Sequence, residues 1–280
     1  MRFRAFGVGL ALALVSGCAP RQPPPPGLAA ADPADSCGPQ VVVFVSAGDL
    51  LGEPPRRQRP PGAEELASEL ARENAAIDRL QIAFDALLYC RWTEVRVIRA
   101  DAASNVVPKA EASVRLAAAS GRLRADLRRA QQLRQRLSER SARLEAAVER
   151  AAPGTAAALL AERAARDAPV RAVASAPVAL RLRPELRAPE VGRVPAGTEV
   201  SLRPATGGFG LVDGGLRAWG YGQLGAFTVL QQRRAPVTEA AGPQAELRRL
   251  AATNLVRRDN FAESLDLAER SAEAGFEPAM

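Results

Sequence analysis

VRLAAASGRLRADLRRAQQLRQRLSERSARLEAAV, residues 114–148, decides the architecture of this chain. Leu116, Leu123, Ala130, Leu137 and Leu144 recur every seven residues, with Leu127 and Val148 at the companion position. Apolar residues at that interval form a narrow seam on a helix, the pattern of a coiled coil. Gly121 weakens it locally, by roughly 1 kcal/mol relative to alanine. Read outward, the helix runs from about 109 to 151, and Pro153-Gly154 ends or kinks it. On the other side, Asn105-Val106-Val107-Pro108 breaks the pattern: Asn tolerates a left-handed cap and Pro suits the first turn of a new helix.

Before that break, residues 63 to about 104 read as a partner helix. Leu66, Leu70, Ile77, Leu80, Phe84 and Leu87 or Leu88 recur at three- and four-residue spacing, and Trp92, Val95 and Ile98 continue the stripe after a phase shift. Each helix would be about 60 Å long at about 1.5 Å per residue. Matched lengths and a short loop predict an antiparallel hairpin with its turn at 105–108. Charge supports it. Residues 64–85 carry six carboxylates against Arg72 and Arg79, and residues 115–143 carry nine arginines against Asp126 and Glu139. Folding back lays the acidic half beside the basic run, so the arginines serve interhelix pairing.

Around the hairpin the composition shifts. Residues 18–62 are rich in proline, with Pro23–Pro26 an extended spacer. Within them Val41–Val45 is a short β-branched run of strand type, able to dock on the body. After 151 a shorter helix, 155–167, completes a helical region spanning 63–168. The period then changes from near 3.6 to near 2, and prolines and glycines punctuate short apolar segments. Helical spacing returns over 243–276 with Leu247, Leu250, Phe261 and Leu265 on one face. Arg257-Arg258-Asp259 interrupts it, so this is one helix or two. The fold class expected is α+β: a long antiparallel helical hairpin, a small β-barrel and a C-terminal helix.

The N-terminus sets the compartment. Arg2 and Arg4 precede the apolar run Phe6–Val15, too short to span a bilayer, and Ser16-Gly17 supplies small residues before Cys18. Val15-Ser16-Gly17-Cys18 resembles the lipobox of bacterial lipoproteins. The resemblance implies that residues 1–17 are a signal peptide, that Cys18 carries the lipid, and that 18–62 is a tether. Ala19 after the cysteine resembles outer-membrane sorting, so the expected place is the outer membrane, facing the periplasm. Cys37 and Cys90 then remain as an even pair in an oxidising compartment. Either they form a disulfide or they are two unlinked thiols, with Cys90 buried as a small hydrophobe.

The β segment has its own resemblance. Ala179-Leu180-Arg181-Leu182-Arg183-Pro184, Val191-Gly192-Arg193-Val194-Pro195-Ala196-Gly197-Thr198-Glu199-Val200, Gly207-Gly208-Phe209-Gly210-Leu211-Val212 and Ala218-Trp219-Gly220-Tyr221 with Leu224 are similar, in order, to the strands and hairpins of bacterial SH3 (SH3b) domains. Arg181, Phe209 and Ala218 stand where the family pattern has Asn, Trp and Gly. The resemblance implies a compact five-stranded barrel over 171–231, filled by Leu180, Leu182, Val194, Val200, Leu202 and Trp219. It also implies binding of cell-wall peptide or a protein partner, with Arg183, Phe209, Trp219 and Tyr221 bordering the groove and Phe209 at an exposed hairpin edge. Trp219 suits the interior and the groove alike.

Active-site chemistry has few candidates. The chain has no histidine, which removes the commonest general base and metal ligand. No metal-spaced Cys cluster occurs, and Gly207-Gly208-Phe209-Gly210 lies between strands, where a phosphate loop would open a helix. No cofactor and no enzymatic activity is expected. The net charge of +7 rests on arginine, Lys109 being the only lysine. In an exported protein the counterpart is anionic lipid or envelope polymer, not nucleic acid. The function expected is that of a non-enzymatic envelope lipoprotein. It binds or scaffolds peptidoglycan or an envelope protein, and its coil gives a route to oligomers. The alternative is an accessory subunit of an envelope or secretion assembly, with the coil as the assembling element.

Overall fold

A computed structural model describes residues 35–52, 59–205, 207–215, 218–230 and 244–273. Cys18 and the apolar leader lie outside the described residues. The chain order is α1 (Gly38–Asp49), α2 (Ala63–Ala103), α3 (Lys109–Ala151), α4 (Thr155–Asp167), seven strands β1–β7 within residues 170–229, and α5 (Ala245–Glu273). None of the described helices is long and apolar enough to cross a membrane.

Helices α2 and α3 form an antiparallel hairpin. Pro108 caps α3, and Asn105 takes a left-handed φ of 57° in the turn. Partners run in opposite directions along the pair: Arg91 meets Asp126, and Glu73, further from the turn on α2, meets Arg140, further from it on α3. The hairpin is not a two-stranded coil. On α3 the buried set includes Ala119, Leu133 and Ser141 beside the heptad positions, while Leu116 is only half-buried. That wider face meets two helices, because α5 packs on both α2 and α3. Phe261, Leu265 and Ala268 of α5 are fully buried, and Phe84 stands between Phe44 and Phe261 with ring centroids 5.4 Å from each. The charges divide accordingly. Arg140 does meet Glu73 of α2, but Arg134 meets Asp266 of α5 at 2.7 Å, and Asp78 of α2 meets Arg257 of α5 at 3.5 Å. The C-terminal segment is a single helix through Arg257-Arg258-Asp259.

The Val41–Val45 run is helical, not a strand. Pro39 sits in the first turn of α1, and Phe44, Ala47 and Gly48 lie at helical spacing on the buried side. A Cβ on Gly48 would come within 2.8 Å of Leu133, so glycine lets α1 lie against α3. A buried aromatic anchor and this close approach outweigh the β preference of valine, which reflects packing on a sheet more than the backbone.

The β region is one antiparallel sheet in the order β3 (Glu190–Val194), β2 (Val178–Arg181), β6 (Trp219–Gln223), β5 (Phe209–Asp213), β4 (Glu199–Pro204), β1 (Val170–Ala174), β7 (Phe227–Val229). It has seven strands where the family pattern implies five, and the order does not close on itself. One side of the sheet holds a core of its own, with Ala172, Leu180, Val194, Val200, Leu202, Val212 and Phe227. Gly210 belongs to that side, where a Cβ would come within 2.6 Å of Leu202. Leu182 and Trp219, expected in the same interior, pack instead with the helical core. The strand period of two explains the split: along β5, Gly210 and Val212 point in while Phe209 and Leu211 point out.

Candidate functional site

The outward side of the sheet is the surface on which the resemblance places a ligand groove. Registry brings Arg203, Leu211, Tyr221 and Arg181 into one row across β4, β5, β6 and β2. This side is covered. Phe209 is 5% exposed and Tyr221 5%, both within the core cluster that holds Phe84, Phe261 and Leu265. The expected exposed edge at Phe209 is therefore corrected. A sheet with large apolar residues on both faces must bury both, and α2 and α5 supply the second cover. Trp219 is half-buried beneath Arg270 of α5, whose guanidinium carbon lies 4.2 Å from the ring centroid. Arg183 reaches across to Asp85 of α2 at 3.2 Å. Arg181 donates to the Ala188 carbonyl at 2.9 Å and secures the loop between β2 and β3.

Where sheet and helices meet, they leave a cleft of about 320 Å³. Its sheet wall presents Arg183, Arg203 and Tyr221, and its helical wall presents Gln81 and Asp85 of α2 with Glu263 of α5. Two ion pairs cross between the walls: Asp85 with Arg183, and Glu263 with Arg203. The Tyr221 hydroxyl also donates to Glu263. Gln81 Nε2 donates to Asp85 Oδ1 and to Ser264 Oγ, each at 3.0 Å. Burial pushes the Asp85 carboxyl up to about 6, against the pull of Arg183 and Gln81. Burial also pushes the Tyr221 phenol up to about 12. Arg183 and Tyr221 are candidates from sequence. Asp85, Arg203 and Glu263 are not, because they come from three separate segments and share no motif.

A second polar centre lies less than two turns further along α2 from Asp85. Cys37 and Cys90 are joined, their Cα atoms 5.8 Å apart. Beside them Arg91, 2% exposed, donates to Asp35 at 2.5 and 2.8 Å and to Asp126 at 2.9 Å. Burial pushes Asp35 up, but the hydrogen bonds and charge of Arg91, with the Cys37 N–H, more than reverse it and hold the carboxyl below its usual range. Asp126 stays above the usual range because burial outweighs Arg91. Asp35, Cys37 and Glu94 converge closely enough to suggest metal ligands. The disulfide removes the thiolate, however, and Arg91 and Arg122 occupy the carboxylates, so the group is a structural clamp on the start of α1.

Compared with known proteins, the chain matches no protein family, no curated protein and no solved structure.

Proposed function

We propose that this chain is a non-enzymatic scaffold of the bacterial envelope. Lipid on Cys18 holds it at the outer membrane, facing the periplasm, and the Pro-rich segment tethers an SH3b-like sheet joined to a helical body. The observation that carries the reading is burial of the aromatic side of the sheet on α2 and α5. With Phe209 and Tyr221 internal, the sheet serves the chain's own architecture. The outward faces of the helices are then what remains for a partner protein. The clamp at Cys37–Cys90 and Arg91 suits a tethered protein, since it fixes the point where the tether meets the body.

Metabolic labelling with a palmitate analogue tests the anchor: label on the wild-type protein and none on Cys18→Ala is expected, and label persisting in the variant overturns it. The scaffold role is tested by comparing two pulldowns, one after crosslinking in cells and one with purified sacculi. Specific crosslinked partners without sacculus retention are expected. Saturable retention on sacculi with no crosslinked partner would replace the scaffold by a wall-binding role.

A further inference from the structure

We propose that the cleft between sheet and helices is a binding site for a small dipolar ligand of amino-acid or dipeptide size, bearing one carboxylate and one ammonium group. This goes beyond the scaffold reading and does not depend on it. Three observations carry it. The first is volume: about 320 Å³ is at the lower end of the roughly 300–1,000 Å³ that small-molecule sites span. The second is how charge is distributed between the walls. Both arginines, Arg183 and Arg203, project from the sheet side, and Asp85 and Glu263 project from the helices opposite. A ligand lying across the cleft meets guanidinium at one end and carboxylate at the other. The third is openness at the charged groups. Side-chain exposure is 26% for each arginine, 14% for Asp85 and 17% for Glu263, so they are desolvated enough to value a partner and still reachable.

The groups already present make binding an exchange of partners. A guanidinium has five N–H donors in a fixed fork and takes a carboxylate in bidentate fashion, so Arg203 can add a ligand carboxylate while keeping Glu263. Asp85 is the group that gains most. Only Arg183 and the Gln81 amide offset its burial, and a ligand ammonium adds the charge it lacks. Leu211, Val256 and Pro204 line the space between the charged ends and leave it room for a short apolar side chain. Other charged groups facing the cleft are Glu185 on the sheet side, Asp259 on α5 and, next to Arg203, Asp167 of α4. Glu185 and Asp259 add negative charge, so a ligand with a bare carboxylate and no ammonium is disfavoured.

The probe is alanyl-alanine, titrated into the full chain by isothermal calorimetry at pH 7.5. N-acetyl-alanyl-alanine, alanyl-alanine amide and the doubly blocked dipeptide are run beside it. Saturable binding of the free dipeptide is expected, at least tenfold weaker when either end is blocked. Asp85→Asn should weaken the free dipeptide about tenfold while leaving the N-acetyl form unchanged. Affinity should also fall between pH 7 and pH 5, as Asp85 takes up a proton, and Asp85→Asn should abolish that fall. Equal binding of the blocked and free forms, or no saturation up to millimolar dipeptide, overturns the proposal. A circular-dichroism melt of Asp85→Asn separates lost binding from lost folding. The scaffold reading fails by a different measurement, the crosslinking pulldown, so the two outcomes are separable.

Discussion

At the scale of single residues, two side chains define how the sheet is held. Phe209 is internal, so Phe209→Ala should remove about 3–5 kcal/mol of stability, read as a shift in the urea midpoint with an unchanged slope. A loss below about 1 kcal/mol would mean that the sheet does not dock on α2 and α5 in solution. Asp85 gives a pH signature. Its folded pKa, raised to about 6 from 3.8, means the folded chain binds the proton first. Stability from this group therefore rises as pH falls from about 6 to about 4 and is lost again as pH rises through 6. Each tenfold change in proton affinity is worth roughly 1.4 kcal/mol, which puts the effect on the order of 2–3 kcal/mol. Asp85→Asn should flatten the pH dependence of the melting temperature over that window; an unchanged profile would assign it to another group. Burial of Phe209 is legible in the strand itself. Phe209, Leu211 and Val212 are apolar at both parities of the strand, the mark of a strand covered on both faces. The family resemblance concerns one side chain, whereas this pattern concerns the whole strand.

At the scale of elements, the clamp on α1 is the feature with the largest expected energy. The disulfide closes a loop with a sequence separation of 53. Cys37→Ser with Cys90→Ser should therefore cost about 2–4 kcal/mol in chemical denaturation, the range typical of native bridges. Equal stability of the oxidised and doubly substituted chains would show that the bond adds nothing. Arg91→Met should cost about 3 kcal/mol, because Asp35 and Asp126 would lose their buried cation and keep only Arg122 at 3.8 Å and the half-exposed Arg129 at 3.0 Å. The ends of α2, α3 and α4 were legible because they rest on local chemistry: Asn105 in the left-handed region, Pro108 at the cap and Gly154 past the end. The state of Val41–Val45 was not, because it is set by Phe44 packing on Phe84 and by Gly48 against Leu133, contacts with residues far along the chain. A third helix in the coil was hidden for a related reason. A heptad seam announces that a partner exists, but Ala119, Leu133 and Ser141, which widen the buried face beyond it, look unremarkable in the sequence.

At the scale of the whole molecule, the outward side of the sheet shares an apolar core with the helices, and Leu182, Leu211 and Tyr221 belong to the same cluster as Leu80 and Phe261. Unfolding should therefore be a single transition. In a Trp92→Phe background, the signal of Trp219 on the sheet and the far-UV helix signal should melt together, and two separate midpoints would show independent domains. The cleft was invisible in the sequence for the same reason that the core is shared: its walls come from α2, the loop after β2, strands β4, β5 and β6, and α5, whose nearness only the fold creates. The position of α5 also bears on biogenesis. Its Phe261, Leu265 and Ala268 complete the groove between α2 and α3, yet α5 follows every strand of the sheet in the chain. As the polypeptide emerges from its N-terminus, the hairpin stays open on the side that Phe261 and Leu265 cover until residues 245–273 arrive. A chain truncated before residue 245 should therefore keep its helices but expose that apolar face, and be cut by protease well ahead of the full chain; equal resistance would show that α5 is dispensable for closing the core.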